Sequence, residues 1–251
     1  MDHSEYIKIS QEKNTAVILI HGFLGTPRYF DDMLSCIPEN FGIYNILLDG
    51  HGGSFWNFVH TSKEKWINQI ETLIKKLENE YENIILVGHS MGTLLSLEVY
   101  KNHKEKIKKL ILFNCPLKIF LKPISALNTF KTIFDKSNKS NPVLVASSKT
   151  HGVPFPKNLF KYIAWLPRYN DLFSLSKSAR KIAPVVKTDC YTFFSQKDEM
   201  VSLNSMKYFK KNPYIKNYIL KNSWHYYYPE KDFLFIKEKL LEIFYDEQKN
   251  Y

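Results

Sequence analysis

Ser90 stands at the centre of Gly88-His89-Ser90-Met91-Gly92, after the apolar run Ile84-Ile85-Leu86-Val87 and before a helical pattern reaching Val99-Tyr100. A serine on so tight a strand-to-helix turn adopts a strained, positive-φ backbone that pushes its hydroxyl clear of the main chain. Glycines two places to either side relieve the crowding that such a turn creates. The start of the helix adds free N–H groups that favour negative charge forming beside the serine. G-x-S-x-G alone recurs in ordinary loops. Framed by a strand and a helix, it makes Ser90 a candidate nucleophile.

A serine hydroxyl is a weak nucleophile near neutral pH. It needs a base to take its proton, and the base needs a carboxylate that orients it and stabilises the imidazolium. Downstream, Asp198 follows the strand-like residues 190–194 and His225 follows the strand-like residues 214–220. All three groups thus fall just beyond the C-terminal ends of candidate parallel strands, where open α/β sheets gather their chemistry. Among the other histidines, His89 adjoins Ser90 on the turn and should point elsewhere, and His21 and His51 lie in glycine-rich turns that they would brace. His3, His60 and His103 have no strand-end placement and His151 falls in an inserted region, which leaves His225 as the base. For the acid, Asp198 has room for a turn after its strand, while spacing leaves Glu199, Asp171 and Asp189 open. Acyl transfer also needs donors for an oxyanion. The backbone N–H of Met91 is one candidate, and Phe23 N–H in the turn His21-Gly22-Phe23-Leu24-Gly25 is the other.

The elements that must position these groups alternate between short β-type runs and helical patterns, which implies crossovers and a mostly parallel sheet flanked by helices. Strands are predicted over residues 16–20, 44–48, 84–87, 110–113, 190–194 and 214–220, with 6–9 as an antiparallel edge strand. Thr26 before Pro27 reads as a helix N-cap, with Phe30, Met33, Leu34 and Ile37 on the buried face. Thr61 and Glu64 read as a capping box for a helix burying Trp66, Ile70, Leu73, Leu77 and Tyr81. A last helix, about 229–244, carries Phe233, Ile236, Leu240 and Ile243. Residues 115–188 break the alternation and are too long for a structureless loop. We expect residues 1–115 and 188–251 to form the core, and 116–187 an inserted helical lid interrupted by a turn-like stretch at 136–142. Phe120, Phe130, Phe134, Phe155, Phe160, Tyr162, Trp165 and Phe173 would supply an apolar ceiling for a pocket or pack the lid onto the sheet.

The 251 residues, 44% hydrophobic and 24% charged, have the composition of an ordinary globule. No apolar run nears the roughly eighteen residues of a membrane span, and the N-terminus has no signal-peptide pattern. Three scattered cysteines suggest neither a disulfide framework nor a zinc site, so a cytoplasmic location is the default expectation. The net charge of +10 is spread along the chain without a nucleic-acid motif. No nucleic-acid partner is expected, and at most a weak attraction to anionic membrane surfaces.

With these pieces in hand, the chain resembles the α/β-hydrolase superfamily, and within it bacterial carboxylesterases of the monoacylglycerol lipase type. The resemblance rests on the turn at residues 21–25, Gly50-His51-Gly52, His60-Thr61 with Trp66, the turn at 88–92, Asp198-Glu199-Met200-Val201 and Ser223-Trp224-His225. It implies an α/β-hydrolase fold, a catalytic set of Ser90, Asp198 and His225, an oxyanion hole at Phe23 and Met91, and no metal or organic cofactor. The implied substrate is a small carboxylic ester with an apolar acyl group. The same residues would serve a thioesterase, an acyltransferase or a carbon–carbon hydrolase, and the scaffold could equally be a small-molecule receptor. Trp224 departs from the pattern, because a small residue usually precedes the histidine. Its ring is expected to reshape the pocket mouth or restrict the imidazole, and Tyr226, Tyr227 and Tyr228 crowd the same corner.

Overall fold

A computed structural model describes residues 3–119, 141–156 and 158–248. Its centre is a seven-stranded sheet in the order β1-β3-β2-β4-β5-β6-β7. The strands are β1 (Tyr6–Lys8), β2 (Thr15–Ile20), β3 (Gly42–Ile46), β4 (Asn83–His89), β5 (Ile107–Phe113), β6 (Asp189–Ser195) and β7 (Ile215–Leu220). All neighbours pair in parallel except β1, which runs antiparallel to β3 at the edge. The predicted strands are all present. β3 begins two residues before the expected 44–48 and ends at Ile46, and β5 begins at Ile107 rather than 110.

The period of two sends alternate residues of the central strands into two different cores. Ile18, Ile84, Leu86, Leu110 and Leu112 join one apolar layer, which α2 (Lys63–Leu77), α3 (Met91–Tyr100) and α5 (Leu166–Ile182) complete. Val17, Leu19, Ile85, Val87, Ile111 and Phe113 join the other. That layer is covered by the 3₁₀ segment Pro27–Cys36 and by α6 (Glu230–Gln248), through Phe30, Met33, Ile236, Leu240 and Ile243. Six consecutive buried residues in β2 are the direct consequence.

Local chemistry corrects several helix expectations. The segment after Thr26 is a 3₁₀ helix with Pro27 in its first turn, but the Thr26 side chain makes no capping bond. Ser62, not Thr61, caps α2, accepting from Lys65 N–H. Thr61 is occupied elsewhere, its Oγ1 donating to Asp49 Oδ2 at 2.6 Å. The buried stripe of α2 runs Trp66, Ile70, Ile74, Leu77, so Ile74 takes the place expected for Leu73, which is half-buried. A reciprocal capping box does occur, at Ser54 and Asn57, ahead of α1 (Phe55–Val59).

Between β5 and β6, the described residues form α4 (Pro142–Thr150), the 3₁₀ segment Leu159–Trp165 and α5. Phe120, Phe130, Phe134 and residues 136–140 of the predicted turn lie outside the described residues. Trp165 is fully buried against Phe55 and Phe58. Phe160 and Phe173, by contrast, are 80% and 51% exposed and form no ceiling. On α5 the inward face is set by Asp171, Leu175, Ala179 and Ile182, and Phe173 falls off that stripe. Among the described residues no helix is long and apolar enough to cross a membrane.

The cap assignment is directly testable. Ser62→Ala should lower stability by about 1 kcal/mol, read as a shift in the urea midpoint at unchanged slope. An unshifted midpoint would return the capping role to Thr61.

Candidate active site

After β3 the chain returns past β2 to lay down β4, so the connections leaving β2 and β4 diverge in opposite directions. The crevice that opens between them at the C-terminal edge receives the two turns singled out in the sequence. Ser90 has φ +50 and ψ −118, the strained geometry expected at such a turn. Its backbone N–H donates to Phe113 O at 2.9 Å, tying the turn to the end of β5. Its carbonyl accepts from Thr93 N–H at 3.0 Å and Thr93 Oγ1 at 2.6 Å, starting α3.

The glycines are steric necessities. A Cβ on Gly92 would fall 1.9 Å from Ile20 O, and one on Gly88 would fall 2.7 Å from Gly92 C. A Cβ on Gly22 would meet Ser90 Cβ at 3.0 Å, which shows how closely the β2 turn packs against the serine. Phe23 follows in a turn closed by Gly25 N–H donating to Gly22 O at 3.0 Å. Met91 is the first residue of α3, so its N–H is one of those with no intrahelical acceptor.

The structure brings His225 and Asp198 together. His225 Nδ1–H donates to Asp198 Oδ2 at 2.7 Å, and both side chains are almost wholly buried. The other carboxylate oxygen accepts from Met200 N–H at 2.7 Å and Val201 N–H at 2.8 Å, which locks the Asp198 side chain. With Nδ1 committed as donor, the neutral imidazole carries its lone pair on Nε2. The rival acids are placed elsewhere. Asp171 pairs with Arg168 at 3.0 Å on α5, and Asp189 lies exposed at the N-terminal end of β6. Glu199 is buried beside the pair and accepts from His225 N–H at 3.4 Å. Among the described residues the Ser90 hydroxyl makes no hydrogen bond, and the nearest bonded tie runs from His89 Nε2 to His225 O at 3.1 Å. The His89 and His225 rings lie 4.8 Å apart. Looser nucleophile–base contacts are common before substrate binds.

Burial opposes charge on His225, but the negative charge and hydrogen bond of Asp198, with the charge of Glu199, outweigh it. Its pKa is therefore raised above the ordinary 6.5. The other buried rings go the opposite way. Desolvation holds His89 and His21 well below 6.5 and brings His51 to about 4. His21 braces its turn as expected, Nε2 accepting from Leu48 N–H at 3.0 Å. His51 Nδ1 lies 3.2 Å from both Leu48 O and Asp49 O.

Trp224 corrects one expectation. Its ring turns onto the Lys197 ammonium, 4.5 Å from the centroid, and packs against Tyr227. The aromatic neighbour of the imidazole is Tyr226, perpendicular at 4.7 Å. Beside Phe23, an aromatic wall runs through Phe58 and Tyr169 to Trp165, Phe55, Phe155 and Tyr162. Sequence reading missed Asn114, whose side chain joins β6 to the His225 loop. Its one signal was a lone polar residue directly after the apolar run of β5. Among the described residues no group of three or more His, Cys, Asp and Glu is gathered to hold a metal.

Residues 11–162 match the family model described as serine aminopeptidase, S33. The chain belongs to this family. Curated relatives of the S33 chain include a lipid droplet-associated hydrolase of Dictyostelium discoideum, 26% identical over 141 residues, or 52% of this chain and 43% of that one. A thermostable monoacylglycerol lipase of Bacillus sp. strain H-257 is 27% identical over 90 residues, 36% of each chain. The matches span about half the length of these relatives or less. A solved structure from the metagenome-derived lipolytic enzymes LipS and LipT aligns over 97% of this chain and 98% of its own, with a TM-score of 0.74 at 18% identity. The Paleococcus ferrophilus monoacylglycerol lipase aligns over 96% and 99%, with a TM-score of 0.67 at 20% identity. Likeness at this level establishes the fold, which is that of the α/β-hydrolases.

The glycine contacts give a sharp stability expectation. Gly92→Ala must separate α3 from β2, backbone against backbone, and should lose about 1–3 kcal/mol or more. Chemical denaturation reads this directly, and a loss under 1 kcal/mol would mean the close approach is not real.

Proposed function

We propose that this S33-family protein is a serine hydrolase of carboxylic esters with an apolar acyl group, monoacylglycerols among them. The observation that carries the proposal is the buried 2.7 Å bond from His225 Nδ1 to Asp198, which leaves Nε2 as base at the edge where Ser90 is held at φ +50. In the reaction, His225 Nε2 takes the Ser90 proton as Oγ adds to the ester carbonyl. The tetrahedral oxyanion is held by the N–H groups of Phe23 and Met91, a donor pair in which each member is worth about 3 kcal/mol of transition-state stabilisation. His225 then returns the proton to the departing alcohol. Water, deprotonated by the same nitrogen, adds to the acyl carbonyl, and His225 passes that proton to Ser90 Oγ as the acid departs. Asp198 stays ionised throughout, fixing the tautomer.

The aromatic cluster that Phe23 joins supports an apolar acyl group, because the partly buried rings of Phe23, Phe55 and Phe155 keep apolar surface within it. In this reading residues 116–187 cap the site, and 1–115 with 188–251 carry the chemistry. Gly152 ties the cap to the core, its N–H donating to Leu24 O at 2.9 Å and its carbonyl accepting from Gly52 N–H at 2.8 Å. The partner is a small ester, with membrane surfaces at most weakly attracted by the positive charge.

Ser90→Ala should reduce nitrophenyl ester turnover to background and abolish fluorophosphonate labelling, with the thermal midpoint unchanged. Wild-type turnover in that variant would end the proposal. The pH profile gives an independent check. As pH falls, His225 protonates and loses its capacity as base, so kcat/KM should fall with a midpoint above 6.5. Glu199→Gln removes one of the charges that raise this midpoint and should move it to lower pH while the plateau stays similar. An unmoved midpoint would show that Glu199 does not act on His225.

A further inference from the structure

We propose that Asn114 is the positioning residue that sets His225 against Ser90, an inference that rests on the serine-hydrolase reading above. Asn114 follows β5 with φ +51 and is 1% exposed. Asparagine is among the few residues that tolerate this region, and its side chain makes the conformation useful here. Ser195 N–H, at the end of β6, donates to Oδ1 at 2.8 Å. That bond identifies the oxygen and leaves Nδ2 as the donor, which reaches His225 O at 3.2 Å and Tyr228 Oη at 3.4 Å.

The main chain extends the same junction. Asn114 N–H donates to Phe193 O at 2.8 Å, and the preceding residue accepts from Ser90 N–H through Phe113 O at 2.9 Å. Asp198 N–H in turn donates to Ser195 O at 3.3 Å. The dipeptide Phe113-Asn114 therefore bonds to the serine turn, to the strand that leads to the acid, and to the backbone of the base. The three reacting side chains come from strand ends that share no sequence proximity, and here a single amide spans the gap between two of them.

A closed circuit holds that amide. The His225 carbonyl accepts from Asn114 Nδ2 and from His89 Nε2, so both of its lone pairs are used. His89 is stacked on Tyr29, with ring centroids 3.7 Å apart and planes 16° from parallel. The Tyr29 hydroxyl bonds to the Tyr228 hydroxyl, which returns to Asn114 Nδ2. None of these groups touches the reacting atoms in the proposed chemistry. Each restricts where the His225 backbone can sit, and through it the distance from Nε2 to the Ser90 hydroxyl.

Asn114→Gly removes the amide while accepting φ +51 without strain, but it strips Ser195 N–H of its acceptor, so the variant should fold with a lowered thermal midpoint and is assayed below it. Its kcat for a nitrophenyl ester should fall by roughly 10- to 100-fold, the scale of a catalytic group displaced by about an ångström, with KM little changed. The low-field proton resonance of His225 Nδ1–H should shift or broaden. Asn114→Asp keeps the acceptor for Ser195 N–H but turns an oxygen toward His225 O, and should lose kcat at least as severely. Wild-type kcat in either folded variant overturns the proposal, as does a reduced kcat with an unmoved low-field resonance, which would mark a general structural loss. Turnover persisting in Ser90→Ala would instead overturn the reading on which it rests. If Asn114→Gly fails to fold, Asn114→Asp decides the matter by the same two readouts.

Discussion

The start of α3 lies against the end of β2 so closely that the Gly92 position leaves no space for a methyl group beside Ile20 O. From this approach follow the positive φ of Ser90, the placement of its side chain at the sheet edge and the aim of the α3 N–H groups at the same point. The strain is tolerated because the turn is fixed from several sides. Phe113 O holds the Ser90 N–H, Thr93 holds its carbonyl twice, and Gly22 packs on its Cβ. A strained conformation persists only where its surroundings over-determine it. Here those surroundings are the central strands, the best buried part of the molecule.

Electrostatics separates one histidine from the rest. His21, His51, His89 and His225 are all buried, and desolvation disfavours a proton on each. For the first three, backbone hydrogen bonds, and near His51 the Asp49 charge, offset burial only in part, and they remain neutral structural donors and acceptors. His225 alone among them faces two carboxylates, Asp198 and Glu199, and its pKa moves up. The same residue type thus braces loops at three positions and can exchange a proton at one. The difference lies in the neighbours that the β6 and β7 loops bring to it.

What could be read in the sequence was whatever leaves a periodic or positional mark. Strands apolar on both faces, the glycine spacing around Ser90, and an acid and a histidine after successive strands all do so, and the structure brings Asp198 and His225 together. Choices between adjacent residues were not legible. Thr61 and Ser62 are equally good caps until Asp49, a distant residue, takes the Thr61 hydroxyl. Leu73 and Ile74 differ by one helical step, and only the sheet surface decides which faces inward. Aromatic identity could not say that Trp165 points in while Phe160 and Phe173 point out. Asn114 left the faintest mark, since its significance lies in partners 81 and 111 residues away.

Burial of both faces of the sheet has a further consequence for where polar groups can act. Along β2, β4 and β5 most side chains serve one of the two cores, and at their C-terminal ends the buried polar residues His21, His89, Ser90 and Asn114 gather. These groups are largely withdrawn from water, and His21, His89 and Asn114 are tied to the surrounding main chain by hydrogen bonds, which restrict how the strand ends can move. Asp198 shows the principle most fully. One oxygen is held by two backbone N–H groups and the other by His225, so the carboxylate can neither rotate nor change partner without leaving a buried donor unpaired. In the proposed reaction the Ser90 hydroxyl and His225 Nε2 stand outside this satisfied set. An ester carbonyl arriving in that reaction would meet groups with unused bonding capacity, set beside an Asp198 carboxylate whose two oxygens are already engaged.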